Sequence, residues 1–187
     1  MKIIFKTAIT LILITIVSTS IKAQVGFSAG LELGTSLDDG YGLGFGFTGG
    51  IEAPVSSNGG ITGRIGYIKL TVDDGIFNNG SAYMVPIQGG YKYYFDSNES
   101  GFYLHGQLGL TLFGISYEFE TIDSFNLTTG KITYKTEKVS DNGTYLSYAI
   151  GGGCLINENF DLGLRYNIVN GDGGNLDYLG VRLGYNF

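Results

Sequence analysis

From Val25 onward the chain alternates. Odd positions carry Val25, Phe27, Ala29, Leu31 and Leu33, and even positions carry Gly26, Ser28, Gly30, Glu32 and Gly34. A period of two places successive side chains on opposite faces of a β-strand, so this segment reads as a strand with one apolar face and one face that is small or charged. The pattern recurs in Tyr41 to Ala53, where Tyr41, Leu43, Phe45, Phe47 and Ile51 alternate with Gly42, Gly44, Gly46, Thr48 and Glu52. Further strands are expected at Ile61 to Leu70, Tyr83 to Phe95, Phe102 to about Glu118, Thr144 to Ile156, Phe160 to Val169 and Leu176 to Phe187. Each is bounded by Gly, Asn, Asp or Ser clusters, which makes eight strands in all.

Composition removes the alternatives to an ordered β domain. There are 32 Gly among 187 residues, but no Gly-X-Y period, so the chain is not collagen-like. A hydrophobic fraction of 43% is too high for a disordered tail, and the single Cys154 cannot form an internal disulfide. A formal charge of −6 without a Lys/Arg cluster argues against a nucleic-acid partner.

The first 23 residues read differently. Lys2 and Lys6 precede the apolar run from Ala8 to Val17, and small residues lead to Ala23. This is the layout of a secretory signal peptide cleaved after Ala23. The apolar core is half of the roughly 20 residues that a membrane-spanning helix needs. Residues 24–187 form the remaining domain. Its removal of Lys2, Lys6 and Lys22 leaves eight basic against 17 acidic residues, a charge of −9.

Eight antiparallel strands can build a soluble sandwich, a lipocalin-like barrel or a transmembrane barrel. Connector lengths favour the last. The odd-numbered connectors include Thr71 to Ala82 and the long Phe119 to Gly143, whereas Asn157 to Asn159 is only a tight turn. Outer-membrane barrels arrange long outer loops and short inner turns in this way, with an even strand count that leaves both termini on one side. Lys131 to Val139 also alternates and is followed by the turn signal Asp141-Asn142-Gly143. It reads as a hairpin extension of the third outer loop, with a ten-stranded barrel as the alternative.

The faces agree with a membrane setting. Phe160, Leu162, Leu164, Tyr166 and Ile168 share one side of their strand, and Asp161, Gly163, Arg165 and Asn167 share the other. In an eight-stranded membrane barrel the apolar side meets lipid and the narrow interior is filled by small and polar side chains. Lys69 alone has the wrong parity, at an outer strand end where its stem can snorkel. Aromatic residues are expected in two girdles: Phe27, Tyr91, Tyr93, Phe95, Phe102, Phe160, Tyr185 and Phe187 at the inner rim, and Tyr41, Tyr67, Tyr83, Tyr145 and Tyr166 at the outer one.

With a signal peptide, eight Gly-rich alternating strands and a last strand Leu179 to Phe187 ending in Phe, the chain resembles small outer-membrane β-barrel proteins of the OmpA/OmpX and OmpW-like kind. It is most similar to the broad porin-family outer-membrane β-barrel domain group of Gram-negative, Bacteroidota-type bacteria. The resemblance implies an up-and-down transmembrane barrel in the bacterial outer membrane, surrounded by outer-membrane lipid. It also implies that Tyr185 and Phe187 form the C-terminal signal read by the barrel assembly machinery. No peptidoglycan-binding domain is expected after the last strand.

Candidate chemistry is sparse. Glu32, Glu52, Arg64, Lys92, Asp161, Arg165 and Arg182 all have inward parity, giving four positive and three negative groups in one lumen. They are expected to form a structural ion-pair network that fills the interior, because unpaired buried charges are costly. A selective pore is the alternative. His105, the only histidine, points inward beside Gln107 and has no Ser two residues away on its face, so a hydrogen-bonded lumen histidine is expected instead of a catalytic one. One His and one Cys make no strong zinc site, and no catalytic residue, metal or cofactor is expected. Cys154 shares parity with Leu146, Tyr148 and Ile150 and reads as lipid-facing. Asp38-Asp39, Asp73-Asp74 and Asp172 lie in expected outer loops without the spacing of a calcium loop. The leading expectation is a non-enzymatic barrel whose outer loops, especially 119–143, are available to an extracellular partner. A passive pore comes second and a secreted soluble ligand-binding barrel third, the latter disfavoured by the absence of Trp.

Overall fold

The computed structural model describes residues 25–72, 80–96, 101–126, 131–171 and 174–187. The expected signal segment, 1–23, lies outside them. The eight strands are β1 (Gly26–Ser36), β2 (Tyr41–Ser56), β3 (Gly59–Val72), β4 (Ser81–Tyr94), β5 (Gly101–Asn126), β6 (Lys131–Ile156), β7 (Phe160–Gly171) and β8 (Gly174–Asn186). Each pairs antiparallel with its sequence neighbour, and β1 pairs with β8, so the sheet closes on itself. Closure removes the unpaired edges that a sheet exposes, which an environment without water requires. The strand count is eight, not ten.

The Lys131 to Val139 segment is part of β6. It continues the ladder with β5 outward as far as the row of Asn126 and Lys131. The stretch from Phe119 to Gly143 is therefore no long irregular loop: its described residues, 119–126 and 131–143, are strand. Connector lengths at the two ends consequently differ less than the sequence implied. The asymmetry lies in the length of β5 and β6, 26 residues each against 11 to 16 for the others.

The faces sort as the alternation requires. Phe27, Leu31 and Leu33 of β1, and Phe160, Leu162 and Leu164 of β7, stand exposed on the outside, while Glu32, Asp161 and Arg165 are buried inside. A folded chain that hides its charges and displays its large apolar side chains is built for lipid. The eight aromatic residues assigned to the inner rim, Phe27, Tyr91, Tyr93, Phe95, Phe102, Phe160, Tyr185 and Phe187, all project outward there.

The outer girdle needs correction at two positions. Tyr41 and Tyr145 pack inward against a buried apolar cluster. Tyr41 turns in because the β2–β3 register shifts between Tyr41 and Gly44, which flips the parity of the strand end. Tyr145 shares the inward parity of Ser147 and Ala149, both buried. The same cluster, formed by Ile68, Leu70, Ala82, Met84, Val169 and Tyr178, makes the end of the lumen opposite the termini apolar. The interior is thus layered, with a polar middle and an apolar cap.

Pro86 lies in the middle of β4 with no backbone donor for the ladder, yet the β3–β4 register is the same on either side of it, Ile65 opposite Ile87 and Ile68 opposite Met84.

Candidate functional site

Below the apolar cap, the inward groups expected from parity gather inside the lumen. Glu32 (β1), Arg165 and Asp161 (β7), Arg182 (β8), Lys92 (β4) and His105 (β5) are buried; Glu52 (β2) and Arg64 (β3) are half-buried. Arg165 Nη2 donates to Glu32 Oε1 at 2.7 Å, and its Nη1 donates to Gln88 Oε1 at 3.3 Å. Gln88 Nε2 donates in turn to Asn167 Oδ1 at 2.7 Å and Ser147 Oγ at 3.0 Å. Arg182 donates to Asp161 Oδ2 through Nη1, to Thr48 Oγ1 through Nε at 2.9 Å and to Ser28 Oγ through Nη2 at 3.2 Å. The other Asp161 oxygen accepts from the Tyr103 hydroxyl.

A third pair lies nearer the termini. Lys92 Nζ lies 3.3 Å from Glu52 Oε2, which also accepts from the Tyr94 hydroxyl at 3.1 Å. The Lys92 ammonium sits 4.1 Å from the Tyr103 ring centroid and 4.8 Å from that of Tyr94, where the ring faces stabilise a desolvated cation. Six of the seven lumen charges are therefore joined in three ion pairs. Arg64 is the seventh, and it makes no ion pair or hydrogen bond among the described residues.

Glycine makes room for these side chains. Arg165 lies opposite Gly151 on β6 and Gly180 on β8, Arg182 opposite Gly163, and Arg64 opposite Gly50. A methyl group at Gly180 would stand 2.7 Å from Glu32 Oε1, and one at Gly151 would stand 2.5 Å from His105 Nε2. Sequence reading took the inward glycines as a consequence of narrowness. The register shows that they stand beside the long charged side chains, a signal that becomes visible only once strands are paired.

His105 sits in this layer with its ring 6.0 Å from that of Tyr103 and its Nδ1 buried without a partner. The hydrogen bonds expected for it do not form among the described residues. Neither a nucleophile nor an acid is joined to it, and no group of three His, Cys, Asp or Glu side chains among the described residues could hold a metal ion. Cys154 is a free, half-exposed thiol on the lipid-facing side, beside Phe102 and Leu162. Of the acidic loop residues, Asp38 is used structurally: its Oδ2 accepts from the Asp177 backbone N–H at 2.6 Å. Asp73, Asp74 and Asp172 lie outside the described residues.

The architecture and the lipid-facing exterior have a counterpart among known families. The model of the "outer membrane protein beta-barrel domain" matches residues 8–187. The chain belongs to that family. It resides in the bacterial outer membrane. Outer-membrane barrels have short periplasmic turns and longer extracellular loops; by that rule the end bearing the chain termini is expected to face the periplasm and the β5–β6 hairpin the exterior.

Solved structures share the fold at low sequence identity. The attachment invasion locus protein Ail of Yersinia pestis superposes with a TM-score of 0.59 at 17% identity, covering 87% of this chain and 97% of Ail. A structure of Ail with the heparin analogue sucrose octasulfate gives 0.60 at 17%, covering 88% of this chain and 99% of Ail. The N-terminal β-barrel domain of OprF from Pseudomonas aeruginosa gives 0.55 at 13%, covering 88% and 99%. No curated protein sequence matches significantly.

Proposed function

We propose that this family member is a non-enzymatic outer-membrane protein whose closed barrel is a rigid base for an extracellular contact surface, the β5–β6 hairpin. One observation carries the reading. The last β4–β5 row joins Ser81 and Ser116, and the last β6–β7 row joins Leu146 and Asn170. Beyond those rows β5 and β6 pair only with each other, up to Asn126 opposite Lys131. Ten further residues of β5 extend the hairpin by roughly 30 Å at strand rise, well clear of the barrel rim. A structure that only filled the membrane would have no use for such a projection, and rigidly mounted projections are where scaffolds carry binding.

The lumen supports the same reading. Three ion pairs fill its middle and an apolar cluster caps its extracellular end, an arrangement that favours a structural filling over a conducting path. The paired groups Glu32, Glu52, Lys92, Asp161, Arg165 and Arg182 are accordingly assigned a structural role. Residues 1–23 are assigned to export, and Tyr185 with Phe187 to recognition by the assembly machinery.

The test compares cells displaying the whole protein with cells displaying a chain in which residues 119–138 are replaced by Asn-Gly. Retention on heparin-coated surfaces is a suitable first readout, because Ail has been solved with a heparin analogue. Retention should fall with the truncation while the barrel still reaches the outer membrane. Equal retention would remove the hairpin as the contact surface. In planar bilayers the purified protein should show no steady conductance; regular current steps would make a passive pore the better reading.

A further inference from the structure

The periplasmic end of the lumen holds a cavity of about 380 Å³. Its mouth is formed by inner-rim residues, among them Pro54, Glu158 and Phe187, and its wall includes Thr62, Arg64 and Gln107. The apolar cluster at the other end of the barrel separates it from the cell exterior, so it is reached from the periplasm.

Three cations and three carboxylates line the cavity, and two of them, Arg64 in the wall and Glu158 at the mouth, are in no ion pair among the described residues. Lys92 and Arg182 also line it, but their charges are taken by Glu52 and Asp161. Arg64 contributes a guanidinium with no hydrogen bond or ion pair among the described residues. It is flanked by Gln88 and Gly50 in the paired rows, neither of which supplies an acceptor: Gln88 Oε1 is engaged by Arg165, and Gly50 has no side chain. The nearest inward carboxylate on β2, Glu52, gives its Oε2 to Lys92 and Tyr94, and its enclosed Oε1 makes no bond to Arg64. A guanidinium carries five N–H donors in a planar fork that matches the oxygens of a carboxylate or phosphate, and leaving it unpaired in a narrow lumen is costly. Because the nitrogens of Arg64 are absent from the fully enclosed unpaired atoms, they are open to the cavity.

We propose that the periplasmic cavity is a binding site for a small oxyanion, a carboxylate or phosphate group, held by Arg64. The group belongs either to a free periplasmic solute or to a phospholipid headgroup reaching over the inner rim. This goes beyond the contact function of the hairpin and does not rest on it, since cavity and hairpin lie at opposite ends of the barrel.

The test is NMR of the folded full-length barrel with ¹³C/¹⁵N-labelled arginine, in an uncharged maltoside micelle at low salt. Inorganic phosphate is titrated into wild type, Arg64→Gln and the exterior control Lys69→Gln, with the heat-dependent shift in gel mobility verifying that each is folded. The expected result is a saturable shift of the Arg64 Nε resonance in wild type and Lys69→Gln, with the affinity read from the Arg182 Nε resonance, which also lines the cavity, weakened roughly tenfold or more in Arg64→Gln. A second arm, in phosphate-free buffer, uses nanodiscs of an uncharged galactolipid with and without phosphatidylglycerol. A shift of Arg64 in that arm alone assigns the oxyanion to a headgroup, and a shift with free phosphate assigns it to a solute. Wild-type Arg64 resonances that stay unchanged in both arms overturn the proposal, as does a saturable response that survives intact in Arg64→Gln. Should Arg64→Gln not fold, the wild-type resonances decide alone.

Discussion

Arg165 and Glu32, 133 positions apart in sequence, meet across the lumen at 2.7 Å with both side chains almost wholly removed from solvent. β1 and β7 are not neighbours in the sheet; β8 lies between them, and Gly180 on β8 is the position opposite Arg165. The pair therefore staples strands that backbone hydrogen bonds do not join. Removing one partner leaves a buried charge uncompensated, at a cost of about 3 to 5 kcal/mol. Arg165→Met and Glu32→Gln should each lower the urea midpoint of the detergent-folded barrel strongly, whereas the double variant should lose less than the sum of the two. Additive losses would mean that the two side chains do not stabilise each other.

A second test concerns glycine as a maker of space. A methyl group at Gly163 would stand 2.7 Å from the Tyr103 hydroxyl, which donates to Asp161, and would meet nothing else closer than 3.7 Å. Gly163→Ala should cost about 1 to 3 kcal/mol, as overpacking does. In a Tyr103→Phe background, where the obstructing oxygen is gone, the same substitution should cost much less. Gly106 serves as control: it faces outward with open space around its Cα, so Gly106→Ala should not destabilise. Thermal gel-shift midpoints of the four variants decide, and an equal penalty at Gly163 in both backgrounds would refute the steric account.

The apolar cap predicts a contrast between two leucines. Leu70 is fully enclosed in the cluster of Ile68, Met84 and Tyr178, whereas Leu104 is exposed on the lipid side. Leu70→Ala opens a cavity among packed neighbours and should cost about 2 to 5 kcal/mol. Leu104→Ala leaves no such void, because lipid chains close over the site, and should cost clearly less. Urea titration in one micelle type measures both; a larger loss at Leu104 would mean that Leu70 does not pack as a core residue.

How far these relationships were legible in the sequence depends on the range of the interaction. Alternation is local, so the strands, the faces and the inward parity of Glu32, Arg165 and Arg182 could be read directly. The partners could not, because Arg165 choosing Glu32, and Lys92 choosing Glu52, depends on the stagger of strands around the closed sheet. Tyr41 turned inward for a related reason: one register shift near a strand end reverses parity, and nothing in Tyr41-Gly42-Leu43-Gly44 marks it. The apolar cap was missed because Ile68, Leu70 and Val72 alternate with Lys69 and Thr71, so the apolar parity at that end of β3 is the inward one. The misfit of Lys69 was visible, and it is in fact the trace of that apolar interior: Lys69 faces outward because its neighbours fill the cap.

The C-terminal residues separate assembly from stability. Phe187 projects outward and is 77% exposed, its backbone N–H donates to Phe27 O at 2.8 Å, and its ring packs edge-on against Tyr185 at 5.2 Å. The ring touches little else within the barrel, so its removal should leave the folded state nearly intact. If it is instead a recognition element for the assembly machinery, its loss should act on the route to the membrane. Phe187→Ala is expected to refold from urea into detergent with an unchanged midpoint, yet to accumulate several-fold less in the outer membrane of expressing cells. Pulse-labelling with fractionation measures the second quantity. Equal loss in both assays would make Phe187 a packing residue, and normal accumulation in cells would leave recognition to Tyr185 and the rest of β8.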